Sequence, residues 1–239
     1  MNKNVDKFCK GLKELGIDYT QENIEKFLKY YDILIERNKV MNLTAITEFD
    51  DVVSKHFLDS LSIVKVMDLG NIESLIDVGT GAGFPGIPIK IMFPDIKVTL
   101  LDSLNKRIKF LGEVAEELEL NRIDMYHGRA EELGRNVEHR EKYDLCVSRA
   151  VANLSSLSEY CLPFVKINGR FVSYKSGDCD KEIEESGNAI NKLSGNIEKV
   201  EKFNLPDSDI SRSFVSIVKV KKISDSYPRK SGIPLKKPL

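Results

Sequence analysis

The chain changes rhythm partway along. Up to about residue 70 its apolar positions follow a helical period. Val5, Phe8, Cys9, Leu12 and Leu15 share one face, and Ile24, Phe27, Leu28, Tyr31, Leu34 and Ile35 form a longer stripe. Val53, Phe57, Leu61 and Val64 predict a third helix, and residues 37–47 read as a polar connection with apolar anchors. From Leu75 the pattern becomes strand–helix alternation. Strand-like runs cover residues 75–78, 97–101, 123–127, 143–147, 170–174, 197–203 and 214–219. Helical patterns fall near 86–93, 104–118, 154–162 and 178–193. This predicts an α/β fold: a doubly wound, mostly parallel seven-stranded sheet with helices on both faces. The last two runs are joined by the polar loop 203–213 without a helix, which predicts an antiparallel pair at one edge.

The expected organisation is an N-terminal helical cap (1–70), an α/β domain (71–223) and a basic C-terminal tail (224–239). The tail is rich in Pro and Lys and is expected to be extended. At 239 residues and 41% hydrophobic content, one sizeable core is available, without room for a second large domain. No apolar run approaches the ~18–20 residues that span a bilayer, and the N-terminus lacks the apolar core of a signal peptide. The four cysteines (Cys9, Cys146, Cys161, Cys179) are scattered, with no C-x-x-C pair. They are expected to be reduced thiols in a cytoplasmic protein with no metal site. The net charge of −1 argues mildly against nucleic-acid binding, but its distribution does not. Lys219, Lys221, Lys222, Arg229, Lys230, Lys236 and Lys237 crowd the end of the chain against one acid, Asp225. Such asymmetry marks either a phosphate-binding arm or a solvated tail.

The candidate chemistry lies at Leu75-Ile-Asp-Val-Gly-Thr-Gly-Ala-Gly-Phe-Pro-Gly86, an apolar strand that ends in glycines and opens a helix. Glycines there let backbone N–H groups approach a ligand. The letters Gly81-Ala-Gly-Phe-Pro-Gly86 fit a dinucleotide fingerprint, and Asp102 stands where a ribose-binding carboxylate belongs. NAD and S-adenosylmethionine both satisfy this much. Asp77 before the glycines favours a cationic ligand over a pyrophosphate, and Pro85 withholds an N–H that a phosphate would use. Asp77 and Asp102 also suit structural roles, a cap or an ion pair for the first and a helix N-cap for the second.

The glycine turn resembles that of the RsmG (GidB) family of bacterial ribosomal RNA methyltransferases. So do Asn38-Lys-Val-Met-Asn-Leu-Thr44, His56-Phe-Leu-Asp-Ser60, Leu101-Asp-Ser103, Gly128-Arg-Ala-Glu131, Ser148-Arg-Ala150 and Tyr227-Pro-Arg-Lys230, in the family's order over nearly the whole chain. The resemblance implies a Rossmann-like methyltransferase sheet beneath the cap. It also implies methyl transfer from S-adenosylmethionine to N7 of a guanine in the 530 loop (near position 527) of 16S rRNA. The implied partner is 16S rRNA or the small ribosomal subunit, with no membrane and the protein expected to be a monomer. Carried over by position, Gly79 and Phe84 match cofactor positions in the turn, Ala130 and Glu131 those expected to flank the adenine, and Arg149 a further cofactor contact. With Asp77, Gly81 and Asp102 these are the candidate cofactor residues.

Guanine N7 has a lone pair and no proton, so its methylation needs no general base, and no catalytic residue is singled out. Positioning and exclusion of water suffice. Arg129, Arg149 and Lys175 lie at or near the C-terminal ends of strands, where such sheets place ligands. With Arg229 and Lys230 they are the candidates for RNA contact; for Arg129 and Lys175 the alternative is an exposed surface charge. His56, three residues before Asp59, is read as a structural hydrogen-bonding group, with RNA contact as the alternative. Phe84 packs on the cofactor, stacks on a base or sits in the core beneath the cap. Three other functions remain open on the residues alone. They are a small-molecule methyltransferase, an NAD-dependent oxidoreductase and a non-enzymatic RNA-binding factor.

Overall fold

Seven strands form one sheet in a computed structural model that describes residues 5–149 and 152–239. They are β1 (Ser74–Val78), β2 (Lys97–Asp102), β3 (Ile123–His127), β4 (Tyr143–Arg149), β5 (Val165–Ser176), β6 (Gly195–Asn204) and β7 (Ser211–Lys219). Their order is β3-β2-β1-β4-β5-β7-β6. The five strands from β3 to β5 run parallel, and β7 is antiparallel to both its neighbours. The antiparallel pair predicted at the edge is therefore present, with the later strand inserted inside. Burial explains the order. Phe214, Val215 and Ile217 of β7 are buried, whereas β6 is mostly exposed or half-buried and carries Glu198, Lys199, Glu201 and Lys202. Charged side chains suit an edge strand.

Side chains of β1 alternate between two cores. Leu75 packs into the larger cluster with the cap, and Ile76 and Val78 into the smaller cluster on the opposite face. Helices Asp6–Glu14, Gln21–Met41, Gly86–Met92 and Asn105–Glu117 cover the first face. Helices Leu154–Cys161 and Asp180–Lys192 cover the second. The cap joins the first core through its aromatic rings: Phe27 lies 4.7 Å from Phe8 and 4.8 Å from Phe57. Each such fully buried ring contributes roughly 1.5–3 kcal/mol through removal from water.

Three segments differ from the pattern-based expectation. The second cap helix runs to Met41 rather than yielding to a polar connection at Arg37, because no Gly or Pro interrupts it. It stops at Asn42, which takes the left-handed conformation, and the Asn38 carboxamide accepts from the N–H groups of Leu43 and Thr44. The third helix begins at Phe49 and contains a π-helical stretch, Val53–Leu58, before Asp59–Leu61 and a 3-10 turn, Ser62–Lys65. The C-terminal tail is not extended. It folds back on the second face and ends in a short helix, Ile233–Lys236, with Pro228 and Pro234 buried.

Among the described residues no helix is long and apolar enough to cross a membrane. Nor is any cluster of His, Cys, Asp and Glu among them arranged to hold a metal ion.

Candidate functional site

The sheet order reverses between β1 and β4, which opens a crevice at their C-terminal ends. The glycine turn enters it. Gly79 and Gly81 have φ of +73° and +62°, a region that favours glycine. A Cβ on Gly81 would meet nothing within 4 Å, so this backbone faces open space.

Asp77 is fully buried beneath the turn. Its Oδ2 accepts from Thr80 Oγ1 at 2.7 Å and from the Gly86 N–H at 2.9 Å. The first N–H of the following helix therefore meets a carboxylate of the protein, where a phosphate would otherwise dock. Asp77 Oδ1 is buried with no protein partner. Burial pushes the Asp77 carboxyl up to about 7, against the opposing pull of Thr80, Gly86 and Arg149. A cation nearby would restore its charge. Asp102 ends β2, also buried. Its Oδ2 accepts from the Gly81 N–H at 2.9 Å and from Arg107 Nη1 at 3.2 Å, and its Oδ1 from the Leu104 N–H at 2.9 Å. The helix cap itself is Leu104, so Asp102 ties the two loops together rather than acting as the N-cap.

Two adjoining cavities meet at Gly79, Asp102 and Ser103. One, of about 410 Å³, is lined by the glycine turn with Thr44, His56, Phe84, Arg107 and Arg149. The other, of about 180 Å³, is lined by Gly128, Arg129, Ala130 and Glu131 after β3, by Tyr160, and by Gly232 and Leu235 of the C-terminal segment. A third cavity of about 500 Å³ shares His56 and Arg149 with the first and adds Lys55, Asp59, Lys175 and Arg212.

Arg149, at the end of β4, stands between the first and third cavities. Its Nη1 donates to Asp59 Oδ2 at 2.9 Å and to the Lys55 carbonyl at 3.1 Å, and its Nη2 lies 3.2 Å from His56 Nδ1. The guanidinium also sits 5.2 Å from the centroid of Phe84. His56 Nδ1 also lies 3.1 Å from the Lys55 carbonyl, and its Nε2 lies 2.9 Å from Thr44 Oγ1. Burial, then the Arg149 charge, depresses His56 to about 3, so the imidazole is neutral. With both ring nitrogens engaged it is a structural spacer rather than a base. Phe84 is a core aromatic: it stacks on His56 at 4.4 Å and packs near Tyr30 and Phe57, while its edge borders the first cavity.

The structure therefore brings Gly79, Gly81, Phe84, Asp102, Ala130, Glu131 and Arg149 to one crevice. Asp77 lies behind the turn and holds it through Thr80, which lines the first cavity. Lys175 reaches the third cavity but donates to Glu182 at 2.6 Å. Arg129 is exposed at the rim of the 180 Å³ cavity, and Lys230 is exposed on the C-terminal segment. Arg229 does not project as a free cation: it grips Glu159, a fully buried carboxylate, at 2.6–3.0 Å. A buried carboxylate demands a partner, and among the described residues this one finds it in the inward-folded tail. Sequence reasoning missed Thr44, Lys55, Arg107, Tyr160, Arg212 and Leu235 as cavity-lining residues. The His56–Asp59 spacing was the available signal for one of their anchors. Asp59 accepts from both Arg149 and Arg212, the latter at 3.0 Å.

Comparison with known proteins agrees with this architecture. A family model described as GidB, rRNA small subunit methyltransferase G, matches residues 23–215. The ribosomal RNA small subunit methyltransferase G of Lachnoclostridium phytofermentans is 53% identical over 232 residues, 97% of this chain and 96% of that protein. The protein of the same name from Desulforamulus reducens is 52% identical over 239 residues, the whole of both chains. Among solved structures, a ribosomal protein L11 methylase from Lactobacillus delbrueckii subsp. bulgaricus superposes with a TM-score of 0.51 at 20% identity. The match covers 69% of this chain and 77% of that one, a likeness of fold.

Proposed function

This chain belongs to the rRNA small subunit methyltransferase G family, and on that premise we propose that it methylates N7 of a guanine in the 530 loop of 16S rRNA. The observation that carries the cofactor is the occupied helix terminus. Asp77 Oδ2 takes the Gly86 N–H, which disfavours a pyrophosphate, and the buried carboxylate behind the turn gives the crevice a negative charge that suits a cationic ligand. The open backbone at Gly81 and the buried Asp102 fit the sugar and amino-acid portions of S-adenosylmethionine. Gly79 and Asp102 would hold the cofactor where the two cavities join. When bound it supplies an electrophilic methyl group on a positively charged sulfur.

The protein's part is positioning. Guanine N7 carries no proton, and the neutral, doubly engaged His56 has no base role to fill. The third cavity offers a place for the target nucleotide beside the first, with Lys55, Arg149, Lys175 and Arg212 around it. Asp59 fixes two of these cations, so their directions are set before substrate arrives. A cation directed at the guanine O6 or a flanking phosphate leaves the N7 lone pair free.

Methyl-labelled S-adenosylmethionine incubated with naked 16S rRNA and with assembled small subunits tests this reading. Label in the RNA of either substrate supports it; absence of label from both overturns it.

A further inference from the structure

The basic C-terminal segment reads, as sequence, as either a phosphate-binding arm or a solvated tail. Its contacts point elsewhere. Arg229 is clamped to buried Glu159, its own N–H also donating to Glu159 Oε1 at 2.7 Å. The Gly232 N–H donates to Glu131 Oε1 at 2.8 Å. The Ser156 hydroxyl donates to the Pro234 carbonyl at 2.8 Å. Upstream, Arg140 donates to the carbonyls of Ile223, Ser224 and Tyr227 at 2.8–3.2 Å. The segment is thus tied at several points to the elements that follow β3 and β4.

These ties carry Gly232 and Leu235 to the wall of the 180 Å³ cavity, which Val78, Leu101 and Gly128 also line. Gly232 has φ of +81°, so the chain turns sharply at the point where its N–H meets Glu131. Leu235, an apolar side chain, is left 60% exposed at that cavity. Glu131, expected from the resemblance to lie against the adenine, is buried and spends one oxygen on the segment's backbone.

We propose that residues 226–239 form the outer wall of the cofactor's nucleoside pocket, with Leu235 packing on the adenosyl group and Glu131 serving as the post that holds the wall. This rests on the cofactor reading above. A ligand with a flat apolar face would cover the Leu235 side chain, and its burial would favour the closed wall. Segment and cofactor then stabilise one another, because each binds better when the other is in place.

The test uses the full-length chain with two probes, S-adenosylhomocysteine and adenosine, measured by titration calorimetry. Leu235→Asp changes an exposed side chain and leaves the core intact. Both probes are expected to bind it at least tenfold more weakly than the wild type, with its thermal unfolding midpoint unchanged in the absence of ligand. Amide exchange in residues 226–239 of the wild type is expected to slow when S-adenosylhomocysteine is added. Wild-type affinity for both probes in Leu235→Asp, or exchange in that segment unaffected by ligand, would overturn the proposal. A wild-type chain that binds neither probe would instead refute the cofactor reading itself.

Discussion

Asp77 and Gly79 show how much one side chain settles in this site. Asp77 is buried and poised near neutrality, with its carboxyl pushed up to about 7. A bound cation prefers the ionised form, so affinity for positively charged S-adenosylmethionine is expected to rise as pH passes from 6 to 8, by up to about tenfold. The uncharged-sulfur analogue S-adenosylhomocysteine should show a weaker rise, and Asp77→Asn should flatten both; equal, pH-independent affinities across this range would contradict the role. Gly79 faces both joined cavities with φ of +73°. In Gly79→Asp the new side chain would meet strain of roughly 1 kcal/mol, and its charge would stand near Asp102. The expected result is a loss of S-adenosylmethionine affinity of at least about a hundredfold by calorimetry, with the fold retained by circular dichroism.

At the scale of elements, the site depends on a cap helix meeting strand ends. The π-helical stretch Val53–Leu58 and the turn after it bring His56 and Asp59 to Arg149 on β4 and Arg212 on β7. Asp59→Ala would leave two largely buried guanidinium groups without their carboxylate. A destabilisation of about 2–4 kcal/mol is expected, lowering the thermal midpoint by roughly 5–10 °C in a chain of this size, and methyl transfer should fall further than cofactor affinity. An unchanged midpoint would show that the cap and the sheet are not joined there. Most strands and helices were legible because burial imposes a period on the sequence, as in Leu75–Val78 and residues 104–118. The π-helical stretch was not, since its apolar spacing at Val53 and Phe57 also suits an α-helix. The insertion of β7 was also hidden, because pairing order depends on the comparative burial of two distant strands.

For the whole molecule, the lesson lies in the C-terminal segment. Its charge pattern read as a free arm, but Arg229 is answered by Glu159, and that partnership is invisible without the fold. The conformation of the glycine turn was legible from its glycines. The third cavity was only partly so, because Lys55 and Arg212 come from separate elements and converge through Asp59 and the sheet order. Together the joined cavities, the fixed cations beside them and the family assignment make one account, in which a methyl group passes to a guanine positioned next to the cofactor. Mapping the modified atom after reaction with 16S rRNA and small subunits, by nuclease digestion and mass spectrometry, tests that account most directly. It predicts one methyl group, on N7 of one guanine within the 530 loop. Methylation at another atom or another loop, or none in either substrate, would contradict it.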